Sequence, residues 1–278
     1  MKKRGQISVF LIFGLLIIVS GWLYFHAKST AASGKSQTSV VTGLSDSDSQ
    51  IVTVFAESCI KIAAEDALFN KIGIQGGYLE VAGTSTKFLG NNIPFYLQAD
   101  CQEDHCAYSK NIPALNTISS ALSSNILAKF EKCFNTETFS DIGIEISKHS
   151  TKNADISLNK EDITIKLNYP LTIKKGTSET DIDSFSVNLP IRLKALHDGS
   201  EELISKIVST PSGKYTITKN DCNSFDKNGI TNVYIKTSDD NNKIIQFVDF
   251  STYYEKYANS FIFQFAVKNI DITGGCTG

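Results

Sequence analysis

The hydrophobic pattern of the chain opens with a long apolar run that no charged residue interrupts. Ile7 to Phe25 reads ISVFLIFGLLIIVSGWLYF, nineteen residues with basic side chains before and after them. A helix of this length, at about 1.5 Å per residue, spans roughly 28 Å, which is close to the hydrocarbon thickness of a bilayer. The pattern predicts a single transmembrane helix over residues 7–25, with residues 1–6 as a cytoplasmic basic end.

A cleaved secretory signal is the alternative interpretation of this apolar run. Ser29 to Ala32 offers the small residues that a signal peptidase needs. The apolar part of such a signal is usually about 7–15 residues long, which favours an uncleaved anchor here. In both cases the bulk of the chain is expected outside the cytoplasm, and residues 7–25 take the lipid bilayer as their partner.

A polar segment separates the apolar run from the rest of the chain. Ten of the 22 residues from Ser29 to Gln50 are Ser or Thr, and none is aromatic. A segment of this composition buries too little surface to offset its chain entropy. We predict a flexible Ser/Thr-rich linker over residues 26–50, followed by an extracytoplasmic domain over residues 51–278.

Two later segments have the periodicity of amphipathic helices. The first begins near Ile51 and ends at Gly73, and the second runs from about Pro113 to Phe134. Their apolar positions recur every three or four residues: Val52, Phe55, Cys59, Ile62, Ala63 and Ala67 in the first, and Leu115, Ile118, Leu122, Ile126, Phe130 and Cys133 in the second.

Elsewhere the pattern favours β-strands. Tyr78–Val81 and Ile93–Leu97 read as short strands, and from Ile142 onward apolar and polar residues alternate, with one further helix predicted over Glu201–Val208. Asp239 to Asn242 is typical of a hairpin loop. The prediction is an α+β fold with a mainly antiparallel sheet, either with one core or with two lobes over 51–140 and 141–278.

Charge and motifs exclude several classes of function. The chain has 27 Lys and Arg against 29 Asp and Glu, and beyond residue 28 the balance is 23 against 29. An acidic domain of this kind is a poor partner for nucleic acid. The chain lacks the G-x-S-x-G, Walker A, H-E-x-x-H and G-x-G-x-x-G motifs. We therefore expect no nucleic-acid partner, no cofactor and no catalysis.

All six cysteines follow the predicted membrane segment, and their even number favours disulfides in an oxidising compartment. Six cysteines permit 15 connectivities, so a pairing is a hypothesis. Cys59 and Cys133 lie on the apolar stripes of the two helices and would join them. Cys101 and Cys106 would close a local loop, and Cys222 and Cys276 would tie down the C-terminal segment.

Two sets of residues have a second interpretation. Cys101-Gln-Glu-Asp-His-Cys106 holds ligand types for zinc, but zinc sites usually need two spaced ligand pairs, and a disulfide-closed polar loop accounts for the same residues. Tyr253, Tyr254 and Tyr257 form an aromatic stretch suited to an interaction surface, with sheet packing as the alternative.

The N-terminus resembles that of archaeal type IV prepilins over Lys3-Arg4-Gly5-Gln6-Ile7-Ser8-Val9-Phe10. This resemblance implies a processing site between Gly5 and Gln6 and a filament subunit. The chain departs from the prepilin pattern because no acidic residue occurs before Asp46.

The chain also resembles an uncharacterised family of single-pass surface proteins from small-genome, episymbiotic archaea. The resemblance is carried by short segments spread along the chain: Gly5–Phe10, Val54–Cys59, Gly76–Tyr78, Asn92–Tyr96, Asn168–Thr172 and Phe263–Lys268. It implies a cell-surface protein and transfers no activity.

The function expected from the sequence is binding, adhesion or assembly at the cell surface. The partner would be another surface protein, a second copy of the chain or a surface polymer. A filament subunit cleaved before Gln6 is one alternative, and an extracytoplasmic hydrolase is another.

Overall fold

The computed structural model describes residues 46–102, 105–210, 212–227, 232–254 and 259–276. Two helices form one layer. Helix α1 covers Asp46–Ala67 and continues as a π-helical turn, Leu68–Ile72, that ends at Gly73. Helix α2 covers Leu115–Cys133 and buries Ile118, Leu122, Ile126 and Phe130, which recur at the predicted four-residue spacing.

An antiparallel sheet packs against this helical layer. Its strands are β4 (Glu145–Lys148), β5 (Asn153–Leu158), β6 (Ile163–Lys175) and β7 (Ser178–Leu189). Strand β6 pairs with the other three. Helix α1 lies against β7 and helix α2 against β5.

A six-stranded sheet forms the other side of the domain. It contains β1 (Ser85–Phe88), β2 (Asn91–Gln102), β3 (His105–Lys110), β9 (Asn232–Thr237), β10 (Lys243–Tyr254) and β11 (Asn259–Lys268). The order is β1-β2-β11-β10-β9, with β3 also paired to β2. All these pairs are antiparallel except β2 with β11.

Smaller elements complete the fold. Helix α3 is a single turn, Glu137–Ser140, and helix α4, Leu193–Val208, lies on β10 and β11. Strands β8 (Lys214–Ile217) and β12 (Asp271–Gly274) form a parallel pair, and helix α5 (Lys219–Lys227) follows β8. The α+β class and the mainly antiparallel pairing are confirmed.

Aromatic rings fill the core. The rings of Phe130 and Phe134 stack with centroids 5.1 Å apart, and Tyr169 meets Phe130 edge-on at 5.0 Å. On the six-stranded sheet, Tyr96 stacks on Phe265 at 4.4 Å. One contiguous cluster of buried residues includes members from both sides of residue 140.

Several predicted boundaries are wrong. Tyr78–Val81 is not a strand: it is irregular chain after the turn at Gly76 and Gly77, and β2 pairs instead with β1. The helix predicted over Glu201–Val208 begins at Leu193, and Pro113 precedes the first turn of α2.

The predicted linker over residues 26–50 also overlaps α1, which begins at Asp46. Acidic residues in the first turn complement the helix dipole. Asp48 is buried and its Oδ1 lies 2.8 Å from Lys175 Nζ on β6. The composition of residues 26–50 could not predict this contact, because Lys175 lies in a distant part of the chain.

The predicted membrane helix over residues 7–25 lies outside the described residues. Within the part of the chain that the structure describes, no helix combines the length and apolarity needed to cross a bilayer.

Candidate functional site

The three disulfides have the predicted pairing. Cys59–Cys133 joins α1 to α2 with the Cα atoms 5.7 Å apart. Cys222–Cys276 joins α5 to the segment after β12, with a Cα separation of 5.5 Å. Cys101 and Cys106 are directly opposite each other in the β2–β3 hairpin. The predicted connectivity is therefore confirmed.

The hairpin disulfide also decides between the two interpretations of its loop. Cysteine binds zinc as a thiolate, and the sulfurs of Cys101 and Cys106 are bonded to each other. His105 is exposed beside them. The loop is therefore closed by a disulfide, and the zinc interpretation loses two of its ligands.

The remaining predicted site residues are only partly described. Tyr253 and Tyr254 belong to β10, where their backbones pair with Ser260 and Asn259 of β11. Their side chains, together with Tyr257, Gly5 and Gln6, lie outside the described residues. The interaction surface and the processing site stay predictions.

Two adjoining hollows meet at Asn269 and are called the Asn269 cleft below. One, of about 520 Å³, lies between the loop before β10 and the starts of β8 and β12. The other, of about 440 Å³, lies along the β2–β3 hairpin. The charged, amide and hydroxyl residues that line them are Gln98, Asp100, Tyr108, Ser109, Ser212, Lys214, Asp240, Asn241, Asn242, Lys243, Lys268, Asn269 and Asp271.

Backbone conformation and the hairpin disulfide shape one wall of the cleft. Asn269 has φ of 59°, and its Nδ2 donates to the carbonyl oxygen of Ala99 at 3.0 Å. Gly213 has φ of +65°, and a Cβ atom there would lie 2.9 Å from the Sγ atom of Cys106. Only glycine fits this close approach without strain. The disulfide and Gly213 therefore form a packed wall.

Hydrogen bonds hold the opposite wall. The Thr86 hydroxyl on β1 donates to Asp240 Oδ2 at 3.1 Å and also lies 3.0 Å from the Ser238 hydroxyl. The Ser238 hydroxyl accepts from the backbone N–H of Asn242 at 3.0 Å. These bonds tie the hairpin loop between β9 and β10 to β1, so that its amides and carboxylates face the cleft in a defined arrangement.

The cleft carries balanced charge. Its described lining contains three lysines and three aspartates: Lys214, Lys243, Lys268, Asp100, Asp240 and Asp271. Opposite charges alternate with neutral amides and hydroxyls, so the lining favours hydrogen bonding over attraction of one strongly charged ligand. Lys214 and Asp271 face each other as paired residues of β8 and β12.

A separate polar network surrounds Asp221 at the start of α5. Burial acts to raise the pKa of this carboxyl, but hydrogen bonds from Thr218, Lys206 and Tyr215 outweigh it and lower the pKa below its usual value. Burial and the bond to Asp221 raise the pKa of Tyr215 to about 12. The network fixes β8 and α5 against α4.

Arg192 and Asp249 form a buried pair beside α4. The Asp249 side chain is fully buried, and its two oxygens accept from Arg192 Nε at 3.0 Å and Arg192 Nη2 at 2.5 Å. These hydrogen bonds raise the pKa of Arg192 despite its partial burial. Such bidentate geometry positions the start of α4 on β10.

Among the described residues, one group of metal-type ligands lies close together on α4. The ligand atoms of His197, Asp198 and Glu201 all lie within 4.8 Å of one another. Their spacing along the helix places them on one side of it, at positions i, i+1 and i+4.

Sequence reasoning found neither the Asn269 cleft nor the group on α4. The cleft residues come from five separated segments, none of which has a motif. The α4 group was missed for two reasons. His197 is distant in sequence from the other histidines, and the buried residues Gly199 and Ser200 interrupt the apolar pattern of the helix. The His197-x-x-x-Glu201 spacing is the one local signal available.

Comparison with protein-family models, with characterised proteins and with solved structures finds no match to this chain. The resemblance to surface proteins of episymbiotic archaea therefore stays a prediction.

Proposed function

We propose that this chain is a single-pass membrane protein whose α+β head lies outside the cytoplasm and binds a hydroxyl-rich surface polymer in the Asn269 cleft, without catalysis. The observation that carries the proposal is the lining of that cleft, in which amide, carboxylate, ammonium and hydroxyl groups line two open hollows that share Asn269.

The composition of the lining favours a polymer over a protein partner. Protein interfaces concentrate their binding energy in aromatic and other large apolar anchors. Tyr108 is the one aromatic residue in the described lining, and its hydroxyl is bonded to the carbonyl oxygen of Thr210 at 2.7 Å. Amide and carboxylate groups instead suit the paired hydroxyls of a saccharide, each of which both donates and accepts.

The rigidity of the walls supports the same proposal. A preorganised groove loses less entropy on binding than a flexible one. The Cys101–Cys106 bond, the Asn269 side chain and the bonds of Ser238 each hold one wall in place. The groove is open, as a chain-like ligand requires, since such a ligand extends beyond the residues that it contacts.

The cysteines support the proposed location. All six belong to three intramolecular disulfides. Disulfides of this kind form and persist in oxidising environments. The apolar run over residues 7–25 would anchor the head, with the N-terminus in the cytoplasm.

A glycan array tests the proposal with the full-length protein in detergent. The test variant is K214A/D271A, which removes a facing pair of side chains from the cleft. The matched control is K174A/E179A, which removes an exposed Lys–Glu pair from β6 and β7. We expect the wild type and the control to bind the same polysaccharides, and the test variant to bind at least tenfold more weakly.

Two results would contradict the proposal. One is equal binding by K214A/D271A and the wild type. The other is no binding to any polysaccharide, combined with capture of a surface protein that K214A/D271A still captures.

A further inference from the structure

The imidazole of His197 is almost completely buried, and only one of its two nitrogens has a hydrogen-bond partner. Its side chain is 2% exposed, and it packs on α4 against the ring of Phe263, with centroids 6.4 Å apart. Nε2 lies 2.8 Å from the carbonyl oxygen of Pro113. Nδ1 is buried and has no hydrogen-bond partner. Buried polar atoms are rarely left in this state.

The bond to Pro113 determines which nitrogen carries the proton. A carbonyl oxygen only accepts hydrogen bonds, so Nε2 of His197 must donate. In the neutral ring Nδ1 then carries a lone pair. Histidines that bind metals have this arrangement, in which the second nitrogen donates to a backbone carbonyl and fixes the tautomer and the ring orientation.

Two carboxylates lie close to the imidazole of His197. Oδ1 of Asp198 lies 3.8 Å from Nδ1 of His197, too far for a hydrogen bond. A carboxylate oxygen of Glu201 completes the triangle, with all three ligand atoms within 4.8 Å of one another. Three electron-rich atoms that share no proton repel each other, and a cation between them removes that repulsion.

Neighbouring groups leave the required oxygens available. Lys194 binds the other oxygen of Asp198, with Nζ 2.7 Å from Oδ2, and so orients Oδ1 toward the histidine. Asp198 is 42% exposed and Glu201 is exposed, so their side chains can rotate inward and an ion can enter from solvent. Zinc ligands at about 2.0–2.2 Å from the metal lie closer together than these atoms, so binding would draw the triangle inward.

We propose that His197, Asp198 and Glu201 bind one divalent transition-metal ion, for which Zn²⁺ is the best candidate. One imidazole nitrogen and two carboxylate oxygens suit zinc better than Ca²⁺ or Mg²⁺, which favour oxygen ligands alone. Three protein ligands leave a fourth position for water or for a group from a partner.

The competing explanation is a protonated His197 that forms an ion pair with Asp198. It would bury a cationic ring whose Nδ1 atom lies 3.8 Å from Oδ1 of Asp198, too far for a hydrogen bond. An ion pair would bind no metal ion, so stoichiometric metal binding distinguishes the two explanations.

Calorimetric titration with Zn²⁺ tests the proposal on the full-length, oxidised protein without a histidine tag. We expect one tight site per chain. E201Q and D198N change exposed side chains, and each should weaken binding at least tenfold. H197Q should abolish the site. The matched controls are E145Q, an exposed acid on β4, and H105N, an exposed histidine on β3, and both should bind as the wild type does.

X-ray absorption at the zinc edge provides a readout that does not depend on the variants. The expected spectrum has one imidazole nitrogen and oxygen ligands at about 2.0–2.1 Å. The proposal is overturned if the wild type binds no stoichiometric zinc, if E201Q binds as tightly as E145Q, or if the bound ion has no imidazole ligand.

Discussion

Two of the disulfides lie in opposite surroundings. Cys59 is 1% exposed, and the Cys59–Cys133 bond joins two helices whose apolar stripes already face the core. Cys101 is exposed, and the Cys101–Cys106 bond closes a hairpin at the edge of the Asn269 cleft. The comparison indicates that the helix disulfide stabilises the fold, whereas the hairpin disulfide shapes a site.

The largest expected effect follows removal of the helix disulfide in C59A/C133A. The bond spans 74 residues, so its loss should lower the free energy of unfolding by about 4 kcal/mol in the chain-entropy model. Denaturant unfolding of the full-length protein measures the change. Because the bond joins the two helices and neither of its cysteines lines the cleft, polysaccharide binding by the folded variant should be unchanged.

A smaller effect on stability is expected for C101A/C106A. This bond spans only 5 residues, so its loss should lower the free energy of unfolding by about 2 kcal/mol or less. Polysaccharide binding should nevertheless fall, because Gly213 packs against the two sulfurs in the cleft wall. The comparison fails if this variant loses more stability than C59A/C133A, or if it binds the polymer as well as the wild type does.

A smaller, pH-dependent effect is expected from Asp221, which precedes Cys222 of the third disulfide on α5. The pKa of Asp221 is lowered in the folded protein, so its stabilising effect is complete above the unfolded pKa of about 3.9 and is lost as the pH falls through the lower folded value. We expect this carboxylate to stabilise the folded protein at neutral pH, because its pKa is lower in the folded than in the unfolded chain.

Unfolding measurements between pH 6 and pH 2 test this contribution. D221N should be less stable than the wild type at neutral pH, and the difference should shrink as the pH falls below the unfolded pKa of about 3.9. A constant difference across this range would show that Asp221 acts through packing and not through its charge.

The sequence predicted the Cys59–Cys133 bond and the main helices because both depend on local periodicity. Cys59 and Cys133 occupy positions on apolar stripes, and a stripe defines the side of a helix that faces the core. The first two turns of α4 were missed because buried His197, Gly199 and Ser200 do not read as apolar. Their burial depends on neighbours from distant strands.

The Asn269 cleft was unpredictable for a similar reason. Lys214 and Asp271 are separated by most of the C-terminal region and meet only because β8 pairs with β12. Single residues also decide the local geometry, since the left-handed conformations at Gly213 and Asn269 place the turns that form the walls. Composition and periodicity carry no information about such contacts.

The proposed function requires the disulfide-bonded head to lie outside the cytoplasm. Intact cells that produce the native protein are treated with an alkylating reagent before lysis, and mass spectrometry then quantifies alkylation at each cysteine with and without prior reduction. We expect all six cysteines to be alkylated only after reduction, with the three pairs Cys59–Cys133, Cys101–Cys106 and Cys222–Cys276. Free thiols at these positions in the native protein would overturn the proposed location.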